Sequence, residues 1–249
     1  MEISNFFYCV ADVAHCFHFL VGCFLIAGGF IDYALTEVVE LIENDSTPSF
    51  GQLPSTRAGA VGAMFGNAPI ICSGRDGFNN YLDSCISFKN SQWSLSHSMN
   101  KKRFYPAGVQ INSTTVWILG GEFSWNSLDS TEFIVQGQTK AIPGPKLPYA
   151  AFALCAVKLS EQEIFVIGGY YNRRAVWIFN PQKDFARKEG PSMNIGRSGH
   201  SCGTLRDGEK TLIIVAGGAY ISTTLEESLL KSVEIYDPTN NTWHEGKQA

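Results

Sequence analysis

Seven Cys, five His and a set of Arg and aromatic residues in turn-rich segments are the side chains of this 249-residue chain that could do chemistry. The cysteines are Cys9, Cys16, Cys23, Cys72, Cys85, Cys155 and Cys202. None forms a C-x-x-C pair, so a zinc site of the usual spacing is absent. Cys9, Cys16 and Cys23 recur every seven residues in an apolar stretch and read as small apolar residues rather than metal ligands. Cys72 and Cys85 flank the segment GRDGFNNYLDS. For these two either a disulfide, implying an oxidising compartment, or a pair of reduced core thiols fits. The same two readings hold for Cys155 and Cys202. His15, His18, His97, His200 and His244 are scattered without H-x-x-x-H or a paired-carboxylate pattern, and a structural role suits His200 better than a channel-facing one. Three Asn-x-Ser/Thr sequons, at Asn44, Asn112 and Asn240, are close to what chance supplies among fourteen Asn. They decide nothing by themselves.

Charge narrows the partners. The net charge is −4, and no run of five basic residues exists to meet nucleic acid or an anionic membrane. With 45% hydrophobic and 17% charged residues the chain has material for a core and is not of disordered type.

The elements that must position these side chains come from a repeat. Apolar runs ending in a Gly pair recur as FLIAGG, PIICSG, VWILGG, IFVIGG and LIIVAGG. Their last glycines are Gly29, Gly74, Gly121, Gly169 and Gly218, giving steps of 45, 47, 48 and 49. Each pair leads through a loop to a second apolar run, the last two closed by Asn180-Pro181 and Asp237-Pro238. An aromatic follows at Phe50, Trp93, Phe185 and Trp243; the third repeat has Lys140-Ala141-Ile142 instead. A polar turn with Arg57, Arg103 or Arg197 then opens the next run, with Ala151 standing at that place before the fourth. The pattern predicts four short strands per repeat: A after the Arg, B ending in the Gly pair, C, and D with the aromatic. Gly-Gly follows a strand but opens no helix, so it is not a phosphate loop.

The Gly pairs, Tyr236-Asp237-Pro238, Asn241-Thr242-Trp243 and the Met-Asn-x-x-Arg turns at Met99 and Met193 together resemble kelch repeats over residues 24–249. Ser73 for Gly, Ala151 for Arg and the third repeat's missing aromatic depart from that pattern. Cys72, Gly74 and Cys85, with His200-Ser201-Cys202-Gly203, further resemble kelch chains of the extracellular invertebrate type. The resemblance implies an all-β kelch-type β-propeller with about five four-stranded antiparallel blades, as a five-bladed ring or an incomplete six-bladed one. Some kelch-like propellers are copper oxidases or iron-dependent lyases. Their clustered Tyr, Cys and His or Glu and His ligands have no visible counterpart here, so neither a metal nor another cofactor is expected.

Strand alternation puts the B–C and D–A loops at one rim. The B–C loops hold Phe30, Tyr33, Phe78, Tyr81, Phe123, Trp125, Tyr170, Tyr171 and Tyr220, nearly twice the chain's 12% aromatic share, with Arg75, Arg173 and Arg174 beside them. Arg57, Arg103 and Arg197 open strand A at that rim, either to meet a partner or to brace neighbouring loops. Aromatics and Arg dominate interface energetics. The expected function is therefore non-enzymatic binding of a protein or peptide through this rim, the alternative being a galactose-oxidase-like enzyme or small-ligand propeller. Residues 1–23 read as a degenerate strand A, a secretory signal without a basic start, a membrane anchor or an unnatural terminus, ahead of a propeller over 24–249. The cysteines lean towards an extracellular setting, with the cytoplasm as the alternative.

Overall fold

Runs of β-branched and aromatic residues cut every few positions by Gly, Asn-Pro and Asp-Pro fold as short strands, because the turn formers end each run before it lengthens. The computed structural model describes residues 3–7, 15–19, 23–31, 34–42, 51–66, 68–77, 80–221 and 227–246, with residues up to 42 and residues 221 and 227 described by backbone alone. The chain is all-β, and its helical content among the described residues is one 3-10 turn, Pro181–Lys183. It divides into two compact units, Cys9–Phe152 and Met1–Tyr8 with Ala153–Ala249.

The first strand, β1 (Ile3–Phe7), belongs to the second unit. Within Cys9–Phe152, β2 (His15–Phe19), β3 (Cys23–Ile31) and β4 (Ala34–Ile42) form an antiparallel sheet in that order. Residues 43–50, where the sequence places the fourth strand and Phe50, lie outside the described residues. Next come β5 (Val61–Phe65), β6 (Ala68–Cys72), β7 (Ser84–Lys89) and β8 (Gln92–Ser98), a complete A-B-C-D sheet. In the third repeat β9 (Ala107–Asn112) and β10 (Thr115–Leu119) precede a small hairpin of β11 (Glu122–Phe123) and β12 (Asn126–Ser127). The sheet is then completed by β13 (Thr131–Val135) and β14 (Ile142–Pro143).

In the second unit β15 (Cys155–Ser160), β16 (Glu163–Ile167), β17 (Val176–Asn180) and β18 (Ala186–Glu189) form the fourth repeat's sheet. The fifth has β19 (Ser201–Asp207), β20 (Lys210–Ala216), a loop hairpin of β21 (Ala219–Ile221) and β22 (Glu227–Leu229), then β23 (Val233–Asp237) and β24 (Thr242–Glu245). Strand β1 adds to this sheet beside β19.

The B strands β6, β10 and β16 are buried at every position after their first, which is why they read as unbroken apolar runs rather than alternating ones. Outer strand β18 is exposed throughout, and Arg187-Lys188-Glu189 blunts that sheet edge with charge. Trp93 and Trp243 turn inward, the latter donating from Nε1 to Pro191 O at 2.8 Å, whereas Phe185 is half-buried ahead of β18. Phe165, Tyr236 and Trp243 pack together in the second unit, each buried aromatic contributing about 1.5–3 kcal/mol or more.

In three of the pairs the second residue, a glycine, clasps the following repeat. Gly74 N donates to Arg103 O and Gly121 N to Ala151 O, both at 2.8 Å, and Gly169 N to Arg197 O at 3.2 Å. These glycines have φ of +95°, +96° and +107°, and a Cβ on Gly74 would lie 2.6 Å from Ala58 O. Ser73 takes the first place of its pair at φ +68°, against its preference.

Candidate partner-binding rim

The B–C and D–A loops meet through the backbone. Ala58 and Arg75 exchange N–H···O bonds of 3.0 and 2.8 Å, Phe104 and Glu122 of 2.9 and 2.8 Å, and Ser198 and Ala219 of 3.1 and 2.8 Å. In each case the residue after the Arg position of strand A pairs with the residue after the Gly pair.

The arginines that open strand A are not available to a partner, which corrects their expected place on the binding surface. Arg57 is 2% exposed, and Arg103 and Arg197 are fully buried. Arg57 Nη1 donates to Ser73 O and Ser84 O at 2.7 and 2.9 Å. Arg103 Nη1 donates to Gly120 O and Ser130 O, both at 2.7 Å, and Arg197 Nη1 to Gly217 O and Ser232 O at 2.9 and 3.0 Å. Each guanidinium thus ties the Gly pair to the serine where strand C begins. The fork reaches the carbonyl of the pair's first residue and gives a second donor to the serine carbonyl, which already accepts from that residue's N–H. Arg103 and Arg197 also pair with buried Glu132 and Glu234 at 2.8 and 3.0 Å. Arg57 has Ile86 at that register, and burial pulls its guanidinium down to about 10 against a smaller opposing pull from Asp76.

In the first unit the rim is aromatic. Tyr81 is buried and donates to Glu122 Oε1 at 3.0 Å, so it supports the rim instead of lining it, a second correction. Its ring stands edge-on to Phe123 and Phe104 at 5.5 and 6.3 Å, and the Arg75 guanidinium lies 4.3 Å over Phe104. Phe123 is 41% and Trp125 69% exposed on the β11–β12 hairpin. Its two turn residues, Ser124 and Trp125, have φ of +50° and +66°. That is a turn normally built from Asn-Gly, and a bulky aromatic there is an outlier. Phe30 is described by backbone only, and Tyr33 and Phe78 lie outside the described residues.

In the second unit Tyr171 is 65% exposed and meets Tyr170 edge-to-face at 5.1 Å, with the Arg173 guanidinium 5.0 Å over the Tyr170 ring. Arg174 is exposed, its Nε donating to Met193 O at 2.8 Å. Tyr220 stands exposed on β21, and across the hairpin Leu229 is 85% exposed. Sequence reasoning missed Leu229 because its Leu-Leu pair sits in a loop, where only an unpartnered apolar pair in a polar stretch signals a surface role. His200, 1% exposed, packs where a Cβ on Gly168 would meet its Cε1 at 2.7 Å. Among the described residues neither ring nitrogen has a hydrogen-bond partner. Burial, then Arg197, pushes its pKa down to about 3.

Residues 210–248, spanning β20 to β24, match the family model described as the Kelch motif. Over 104 residues the chain is also 36% identical to Kelch-like protein 35 of Mus musculus. The chain carries a kelch repeat. The mouse match takes in 41% of the chain and 16% of its relative, so the kelch chain corresponds to a small part of that protein's length.

Two disulfides staple the kelch sheets. Cys72 and Cys85 are cross-strand partners of β6 and β7 with Cα atoms 4.0 Å apart, closing the loop that carries Arg75 and Tyr81. Cys155 and Cys202, with Cα atoms 6.1 Å apart, join β15 to β19. Among the described residues no three His, Cys, Asp or Glu side chains are grouped to hold a metal, and no helix is long and apolar enough to cross a membrane.

Proposed function

We propose that this chain is a non-enzymatic protein-interaction module that takes a protein or peptide partner on the B–C and D–A loop rim of the unit Cys9–Phe152, with Phe123 and Trp125 as main contributors. The observation that carries the reading is Trp125. A left-handed backbone costs a non-glycine residue about 1–2 kcal/mol, and here the strain holds an indole in solvent at a hairpin tip instead of burying it. Blade packing does not account for that placement, since Trp93, Trp117 and Trp243 already fill the sheets.

The test separates folding from binding. Trp125→Gly relieves the backbone, so the variant should unfold at the same or a higher temperature than the parent. Captured partner should nevertheless dissociate about thirtyfold more readily, the effect of truncating a central aromatic worth about 2 kcal/mol. Gln138→Lys, exposed in the C–D turn of the same repeat, should leave the partner bound. Retention by Trp125→Gly together with loss by Gln138→Lys would place binding at the other rim and reject the proposal.

A further inference from the structure

We propose that Asn112 carries an N-linked glycan. The sequon Asn112-Ser113-Thr114 forms the turn between β9 and β10, and all three residues are exposed. The Asn112 Oδ1 accepts from both Thr114 N and Thr114 Oγ1, at 2.9 and 3.0 Å. Two donors on the carboxamide oxygen draw density from the amide and leave the Nδ2 hydrogens more acidic. No described residue accepts from that nitrogen.

The sequon at Asn240 is built differently. Its Nδ2 donates to Asp237 Oδ2 at 3.3 Å, and the Thr242 hydroxyl is bonded to His244 Nε2 at 2.8 Å. Both groups that glycosyl transfer uses are engaged elsewhere there. The structure thus separates two sequons that the sequence leaves equal.

The disulfides supply an independent argument. Cys72–Cys85 and Cys155–Cys202 are lasting features only in an oxidising compartment, which is also where N-glycosylation takes place. Each bridge forms by loss of two protons and two electrons from a thiol pair to a thiol–disulfide oxidoreductase. In the transfer step Asn112 Nδ2 attacks C1 of the first sugar of a lipid-linked oligosaccharide diphosphate. The C–N bond forms as the C1–O bond to the diphosphate breaks. The nitrogen's proton passes to a carboxylate of the transferase, and the lipid diphosphate departs. The glycan stands at the A–B end of the third repeat's sheet, opposite the end bearing Trp125, so it leaves the rim open.

The test uses the full chain isolated from its own source cells. The denatured chain is digested with peptide N-glycosidase in heavy-oxygen water, and its peptides are read by mass spectrometry. Heavy-oxygen aspartate is expected at position 112. Asn112→Gln and Thr114→Val, made in the same cells, should each migrate like the deglycosylated parent protein. Recovery of the Asn112 peptide unmodified, or modification confined to Asn240, would overturn the assignment.

Discussion

Acidification from about pH 7.5 to 5 sets the burial of His200 against its basicity. In the unfolded chain the imidazole takes up a proton near its ordinary value of about 6.5. In the fold it has neither solvent nor a hydrogen-bond acceptor, lies near Arg197, and stays neutral down to about 3. Its folded pKa is depressed, so stability is full above the unfolded value and is lost as pH falls from about 6.5 towards 3. At pH 5 the loss is about 1.4 kcal/mol for each of one and a half units, or about 2 kcal/mol. That figure holds for any folded value below about 4. His200→Leu removes the ionisation and the two unpartnered nitrogens together. The assay is hydrogen exchange of the β19 and β20 amides, corrected for intrinsic rate, at both pH values. The parent should lose about thirtyfold in protection, and the variant should lose little. An equal loss in both, or an imidazole that titrates near 6.5 by NMR in the folded protein, would refute the reasoning.

Ser73→Gly should stabilise the protein by about 1–2 kcal/mol in urea titrations, because Ser73 combines a left-handed backbone with a buried hydroxyl lacking a partner among the described residues. Arg103→Met should cost about 3–5 kcal/mol by removing the cation paired with buried Glu132, whose remaining donors are Asn100 and Lys101, whereas Arg57→Met, with no acid at its register, should cost about 1–3 kcal/mol in the same measurement. Thiol counting on the unreduced native protein should find Cys72, Cys85, Cys155 and Cys202 unreactive, and opening the Cys72–Cys85 loop by double Ala replacement should cost about 2–3 kcal/mol.

The sheets were legible because a Gly pair with one required backbone conformation recurs at a nearly fixed step, and because a B strand buried on both faces needs an uninterrupted apolar run. The rim was legible only in part. Aromatic residues in loops such as Trp125 and Tyr171 stand out by composition. Whether an Arg faces solvent or a ring of carbonyls is decided by where the Gly-pair and Ser84, Ser130 and Ser232 carbonyls point, which no local pattern states. Tyr81 was misread for a related reason: its acceptor, Glu122, is 41 residues away in the next repeat. The strain at Trp125 was hidden as well, since Ser-Trp carries none of the turn signals that Asn-Gly would.

The arginine braces bear on how this scaffold tolerates change. In three repeats one guanidinium grips a main-chain carbonyl at each end of the B–C loop, while the loops themselves run over residues 75–83, 122–129 and 219–231. Loop closure costs little more as length grows, so such a socket accepts inserts of varied size and sequence. New recognition surfaces could be transplanted there as cassettes, one repeat at a time, without redesign of the sheet beneath.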